Sequence, residues 1–295
     1  MTQLHWSVLL IYLGFMLIAT VLALARRWFR PGDAFAGESV WRKYPAYIVI
    51  NLTFMAASWL SSIWPVLMLL LAVLGGVAAW EISRALAPTA RFLPGVTVGL
   101  IVAAGLLGPE HFLKVWLAVM LTLLAFIMLI VPRETAGRWL LALAGSGVYV
   151  PVCLAAYLWI QRADPSGFRA VFLYLVIATN DAFAQITGQL FGARSLAPRL
   201  SPAKTVEGAL GGIVFAGLMG TALSAVMSWP YLTGAGLGLA LGVAGLLGDL
   251  IASAWKRALG LKNFSGVLGA QGGVLDRFDG LLFAAPVFYL LTSWL

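Results

Sequence analysis

The 295-residue sequence predicts an all-α fold, a polytopic integral membrane protein of about nine or ten transmembrane helices. Three observations predict it. Apolar runs of about 20 residues, enough to span a bilayer, recur from one end of the chain to the other. Hydrophobic residues make up 62% of the chain and charged residues 10%, where an ordinary soluble domain carries about a quarter charged. Lysine and arginine gather in every second connecting segment, the pattern that orients helices in a membrane. A β-barrel would show short segments of alternating polarity instead.

Ten segments have the length and polarity of spans: about 6–25, 44–62, 64–80, 93–108, 112–132, 139–160, 170–190, 207–227, 232–255 and 279–294. The opening MTQLHW lacks the positive n-region of a signal peptide, so the first run is expected to be retained as a helix. Little more than SSIWP separates the second run from the third. The fourth is short and glycine-rich, which suits a tilted or partial crossing. Segments 26–43, 81–92, 133–138, 191–206 and 256–278 hold 16 of the 19 Lys and Arg, leaving Lys114, Arg162 and Arg169 elsewhere. These five segments follow alternate spans and so share one face. That face is expected to be cytoplasmic, with both termini on the other. The net charge of +8 is then a matter of topology and gives no reason to expect a nucleic-acid partner. The single cysteine, Cys153, lies in an apolar run and reads as a small packed hydrophobe. His5 and His111 fall near the opposite face and receive no role.

Ionisable residues divide the chain. Spans one to six carry almost none in their interiors, whereas the seventh and ninth contain Asp181 and Asp249. Residues 1–170 therefore read as a membrane-helix scaffold, and 171–295 as catalytic helices and cytoplasmic loops, within one integrated membrane domain.

Four stretches could carry chemistry. In ATNDAFAQITGQLFG (178–192), Asp181 sits inside a span. An ionised carboxylate there is costly unless paired, hydrated or bound to metal, and a protonated Asp bonded to a neighbouring helix is the structural alternative. In SPAKTVEGALGG (201–212), Ser201-Pro202 reads as a helix start, and Lys204 and Thr205 are placed to hold an anion at a helix N-terminus. A positive-inside lysine at a helix entry would look the same.

In GDLIASAWKR (248–257), Asp249, Ser253 and Lys256 stand at i, i+4 and i+7 and share a helix face, with Arg257 beside them. Snorkelling explains the two cations but leaves Asp249 unexplained. In GAQGGVLDRFDG (269–280), Gly272-Gly273 allows a tight turn or a close backbone approach to a ligand. Asp276 and Asp279 share a face if helical, and without a lysine paired between them they repel each other. A divalent cation would relieve that repulsion, and an oxygen-only donor set beside phosphates favours Mg2+ over zinc. An Asp–Arg surface network is the alternative. Acids that hold metal and cations that grip phosphate are together the equipment of phosphoryl or nucleotidyl transfer at a lipid headgroup.

From Ser253 the chain reads SAWKRALGLKNFSGVLGAQGGVLDRFD. This resembles the signature of the CDP-diacylglycerol synthases, or phosphatidate cytidylyltransferases: Ser-x-x-Lys-Arg, four residues, Lys-Asp, a Pro-Gly-His-Gly-Gly turn, and x-Leu-Asp-Arg-x-Asp. Ser253, Lys256, Arg257, Lys262, Gly272, Gly273, Asp276, Arg277 and Asp279 fall in register. The likeness covers 178–290, and the first 170 residues match only as membrane spans. It implies attack of phosphatidate on the α-phosphorus of CTP, releasing pyrophosphate and forming CDP-diacylglycerol. It also implies an active site facing the cytoplasm, in a bacterial inner membrane, and it is compatible with a homodimer. By the same resemblance Asp249 and Asp276 bind metal, with Asp279 and Asp181 in support and room for a second, monovalent or divalent, cation. Lys204, Thr205, Lys256, Arg257, Lys262 and Arg277 grip CTP and lipid phosphates, and Ser253 bonds a phosphate or a metal-bound water. Asn263 stands where the family has Asp, Gln271 where it has His, and Gly269-Ala270 where it has Pro-Gly. Both Asn263 and Gln271 keep hydrogen bonding toward substrate, but Gln271 cannot shuttle a proton.

Other readings use the same residues. A divergent paralogue would act on a related lipid phosphate. A CTP-dependent lipid kinase would release CDP rather than pyrophosphate. An ion-coupled transporter would use Asp181 and Asp249 as a relay, though its site should lie at the midplane between repeats, and the sequence has no repeat.

Overall fold

The computed structural model describes residues 3–29, 34–60, 64–269 and 272–293, apart from the side chains of 25–29, 34–46, 64 and 65. Among the described residues each of the ten apolar segments falls mainly on helical chain. In order these are α1 (Gln3–Phe29), α2 (Ala34–Trp59), α3 (Trp64–Leu86), α4 (Leu93–Leu107) and α5 (Pro109–Ile130). A long rod follows, made of α6 (Arg133–Leu143), a π-helical stretch (Ala144–Tyr149) and α7 (Val150–Ala163). The chain ends in α8 (Phe168–Phe191), α9 (Val206–Ser224), α10 (Tyr231–Ala258) and α11 (Val274–Thr292).

Among the described residues seven of these rods, rather than the expected nine or ten, have the length and apolarity to cross a membrane: α1, α3, α5, the α6–α7 rod, α8, α9 and α10. In α2 the apolar stretch among the described side chains is Tyr47–Trp59, and α4 has 15 residues. α11 opens on charged residues, Asp276, Arg277 and Asp279. The chain is a helical integral membrane protein.

α8 is the central helix. Every residue from Ala170 to Asn180 is buried, which is the mark of a helix packed on all sides rather than along one stripe. It touches α1, α2, α7, α9, α10 and α11. α5 is its opposite, with 11% of its apolar window buried against 78% for α8, so α5 turns its leucines outward. Polar groups in the interior find partners, as buried groups must. The Tyr174 hydroxyl donates to Asn51 Oδ1 at 2.6 Å, and Asn51 Nδ2 donates to the Tyr12 hydroxyl at 3.0 Å. One buried apolar cluster runs from Val8 to Phe288 and joins both portions of the chain.

Small residues bring the C-terminal helices together without side chains between them, the usual device in lipid. A Cβ at Gly212 on α9 would stand 2.7 Å from the Asn180 carbonyl of α8. A Cβ at Gly248 on α10 would stand 2.5 Å from the Asp279 carbonyl of α11. The second crossing sets Asp249 beside the first turns of α11.

The expected helix start at Ser201-Pro202 is not observed. Ser201–Thr205 is instead strand β2, paired antiparallel with β1 (Ser195–Ala197). α9 begins at Val206, with Thr205 extended (φ −112°, ψ 154°) as its N-cap. A proline at a strand edge loses no ladder bond, and the Thr205 hydroxyl accepts the Gly208 N–H at 3.1 Å, which is what defines the cap.

Candidate functional site

Three acid–base pairs gather where α8, α10 and α11 meet the hairpin. Lys204, on β2, makes an ion pair with Asp249 of α10, and the two side chains are 23% and 34% exposed. Lys256 Nζ, two turns on from Asp249, lies 2.8 Å from Asp276 Oδ1 of α11. Arg277 stands 3.8 Å from Asp181 Oδ2 of α8, with its guanidinium over the Tyr47 ring at 4.9 Å from the centroid. Asp279 lies deeper, 6% exposed, among the charges of Asp249, Asp181, Lys256 and Lys204. The structure therefore joins Asp181, Lys204, Asp249, Lys256, Asp276, Arg277 and Asp279 into one cluster, although 97 residues of sequence lie between the first and last of them.

Other expected site residues take different places. The Thr205 hydroxyl is spent on the α9 cap. Arg257 is exposed and donates to the carbonyls of Leu200 at 3.0 Å and Leu261 at 3.1 Å, tying the hairpin turn to the end of α10. Ser253 shares the α10 face with Asp249 and Lys256, and is buried. Lys262 and Asn263 are exposed in the loop between α10 and α11. Gln271 lies outside the described residues, as does Ala270.

The expectation that Asp276 lacks a paired lysine is corrected: Lys256 supplies one. Both Asp276 oxygens are engaged, Oδ1 by Lys256 and Oδ2 by the N–H groups of Phe264 and Gly273, each at 2.9 Å. The glycine pair also serves a purpose the sequence did not suggest. Gly272 has φ +84°, and a Cβ there would sit 2.9 Å from Asp276 Oδ2. A Cβ at Gly273 would sit 2.5 Å from Glu81 Oε1. The close approaches are to two carboxylates of this chain.

Two residues of the cluster's surroundings escaped sequence reasoning. Tyr47 stacks on Arg277, and its hydroxyl donates to the Ala178 carbonyl. Glu81, at the end of an apolar run, is 1% exposed and meets the start of α11. The only sequence signal for Glu81 was an acid on the face that holds most of the lysines and arginines.

Among the described residues no group of three acid, His or Cys side chains stands close enough to cage a metal ion. The donors available are carboxylate oxygens, which suit a hard divalent cation. Asp249 is the most exposed carboxylate of the cluster.

The chain matches the cytidylyltransferase family over residues 41–295. It is 33% identical over 239 residues to the phosphatidate cytidylyltransferase of Bacillus subtilis (strain 168), covering 76% of this chain and 88% of that protein. It is 39% identical over 144 residues to the phosphatidate cytidylyltransferase of Aquifex aeolicus (strain VF5), covering 49% and 54%. Over 170 residues it is 38% identical to the same-named protein of Brucella abortus biovar 1 (strain 9-941), covering 56% and 62%. The matched region contains every residue of the acid–base cluster, and the chain belongs to the cytidylyltransferase family.

Proposed function

We propose that this chain transfers the cytidylyl group of CTP to phosphatidate, forming CDP-diacylglycerol and releasing pyrophosphate, at the cytoplasmic face of a bacterial inner membrane. The observation that carries the reading is the pairing of Lys204 with Asp249 and Lys256 with Asp276 in one cluster, in a chain whose relatives are named for that activity. A phosphatidate oxygen attacks the α-phosphorus in line; one P–O bond forms as the bond to pyrophosphate breaks. A phosphomonoester with a second pKa of about 6 is largely dianionic at neutral pH, so the attack needs no general base. That makes a glutamine at 271 compatible with turnover.

Asp249 and Asp276 are assigned to Mg2+, with Asp181 and Asp279 beside them. When bound, the ion neutralises charge developing on the phosphates. In the structure lysines hold both assigned carboxylates. An arriving triphosphate offers Lys204 and Lys256 new anionic partners, and each lysine that transfers to a phosphate oxygen frees a carboxylate for the metal. Arg277, steadied by Tyr47 and Asp181, faces the same cluster and adds a third cation for phosphate. The protein's contribution is mainly to position and neutralise.

Purified protein given phosphatidate, CTP and Mg2+ tests this by mass spectrometry of the lipid product. CDP-diacylglycerol is expected. A diphosphorylated lipid with CDP release would identify a lipid kinase, and ion flux in proteoliposomes without nucleotide would identify a transporter.

A further inference from the structure

We propose that Glu81 is a positioning residue for this site: a carboxylate from α3 that fixes the first turn of α11 and the loop ahead of it, and through them the Lys256–Asp276 pair. The inference rests on the transfer reading above for its kinetic consequence, and on geometry alone for its structural one. Glu81 Oε1 accepts from the Ser265 hydroxyl at 2.6 Å and from the Val274 N–H at 2.8 Å; Oε2 accepts from the Leu275 N–H at 2.9 Å. Among the described residues no lysine or arginine forms an ion pair with it. What compensates its burial is the start of α11, where N–H groups lack intrahelical partners and the helix dipole favours negative charge.

A helix start is usually satisfied by its own N-cap side chain. Here the N-cap is Gly273, which has none. The N-cap N–H is bonded by Asp276 from inside the helix, and the next two N–H groups by Glu81 from 193 and 194 residues away. Gly273 shows that this approach is built in, because a Cβ there would collide with Glu81 Oε1. The same turn carries Asp276 and Arg277, and Phe278 and Asp279 follow directly. Ser265, the third donor, belongs to the loop holding Lys262, Asn263 and Phe264, and Phe264 N–H bonds Asp276. Glu81 thus closes a ring from the N-terminal portion through the loop to the acid–base cluster.

The geometry makes an unusual coupling testable. Glu81→Ala removes the cap and opens the space beside Gly273. Gly273→Ser supplies a cap from within the helix, at a backbone conformation (φ −90°, ψ 175°) that serine adopts freely, but it collides with Glu81. Each single change is therefore harmful, and the two together should partly rescue one another. In nucleotide-free protein, hydrogen exchange at the Val274 and Leu275 amides should quicken about 10- to 100-fold in Glu81→Ala, with α5 unchanged, and slow again at Leu275, the amide an N-cap serine can reach, in the double variant. With CTP and phosphatidate, kcat should fall about 100-fold in Glu81→Ala with a smaller change in KM for CTP, and recover in part in the double variant. Unchanged exchange at those two amides in Glu81→Ala, or a double variant no better than either single one, overturns the proposal. A wild-type protein with no cytidylyl transfer would sink the functional reading instead, and the exchange measurement would still decide on Glu81.

Discussion

Lys256 Nζ lies 2.8 Å from Asp276 Oδ1, and the two side chains are 12% and 6% exposed. A pair this buried behaves differently when broken than when left intact. Removing one partner strands a charge and costs about 3–5 kcal/mol. Lys256→Met should therefore lower stability by an amount of that order as well as abolish activity. Thermal unfolding in detergent, read beside turnover, checks both.

The Lys204–Asp249 pair makes a contrasting prediction. Its side chains are 23% and 34% exposed, but Lys204 Nζ itself is buried, so the pair is only partly screened and its loss should cost about 1–2 kcal/mol, less than the first pair. Asp249→Ala should then retain the wild-type unfolding midpoint within a few degrees while losing turnover by about 10²- to 10³-fold or more. A variant equally stable and equally active would remove Asp249 from the site.

Glycine placement gives a third test, on packing. Gly248 faces the Asp279 carbonyl at a distance no Cβ tolerates, whereas a Cβ at Gly236, on the same helix, would meet nothing within 4 Å. Gly248→Ala should force α10 from α11, costing about 1–3 kcal/mol as overpacking does, and displace Asp249 from Asp279. Gly236→Ala should be neutral or stabilising by up to about 1 kcal/mol. Parallel unfolding curves distinguish the two.

Arg277 supplies a fourth. Its guanidinium lies over Tyr47 and 3.8 Å from Asp181. Tyr47→Phe keeps the aromatic face and should keep most of the affinity for CTP. Tyr47→Leu removes a contact worth about 0.5–2 kcal/mol and should raise KM for CTP several-fold. Equal KM values in the two variants would show that the ring does not steady the arginine.

Much of this architecture was legible in the sequence because lipid imposes a simple rule: a spanning segment must be long, apolar and internally hydrogen-bonded. That rule located all ten rods, α8 among them. It did not distinguish full crossings from the 15-residue α4. It also missed the hairpin, because Ser195–Ala197 and Ser201–Thr205 are too short and too polar to alternate, and Ser201-Pro202 imitates a helix start. The acids and cations of the site were legible as types, since ionisable residues near an apolar run are conspicuous. Their partners were not. That Asp249 pairs with Lys204 and not with Lys256 depends on the path of the hairpin, and that Glu81 reaches α11 depends on how α3 packs 193 residues away in sequence. Tertiary contacts of that span leave no local pattern to read.

Under the proposed function the acid–base cluster transfers the cytidylyl group with the α-phosphate of CTP, not the terminal phosphate. Position-specific labelling of CTP tests it most directly. With label at the α-phosphate, radioactivity should move into the lipid; with label at the γ-phosphate, it should leave as pyrophosphate; and Asp249→Ala should stop both. Label from the γ-phosphate appearing in the lipid, or transfer persisting at the wild-type rate in Asp249→Ala, would rule out cytidylyl transfer at this cluster.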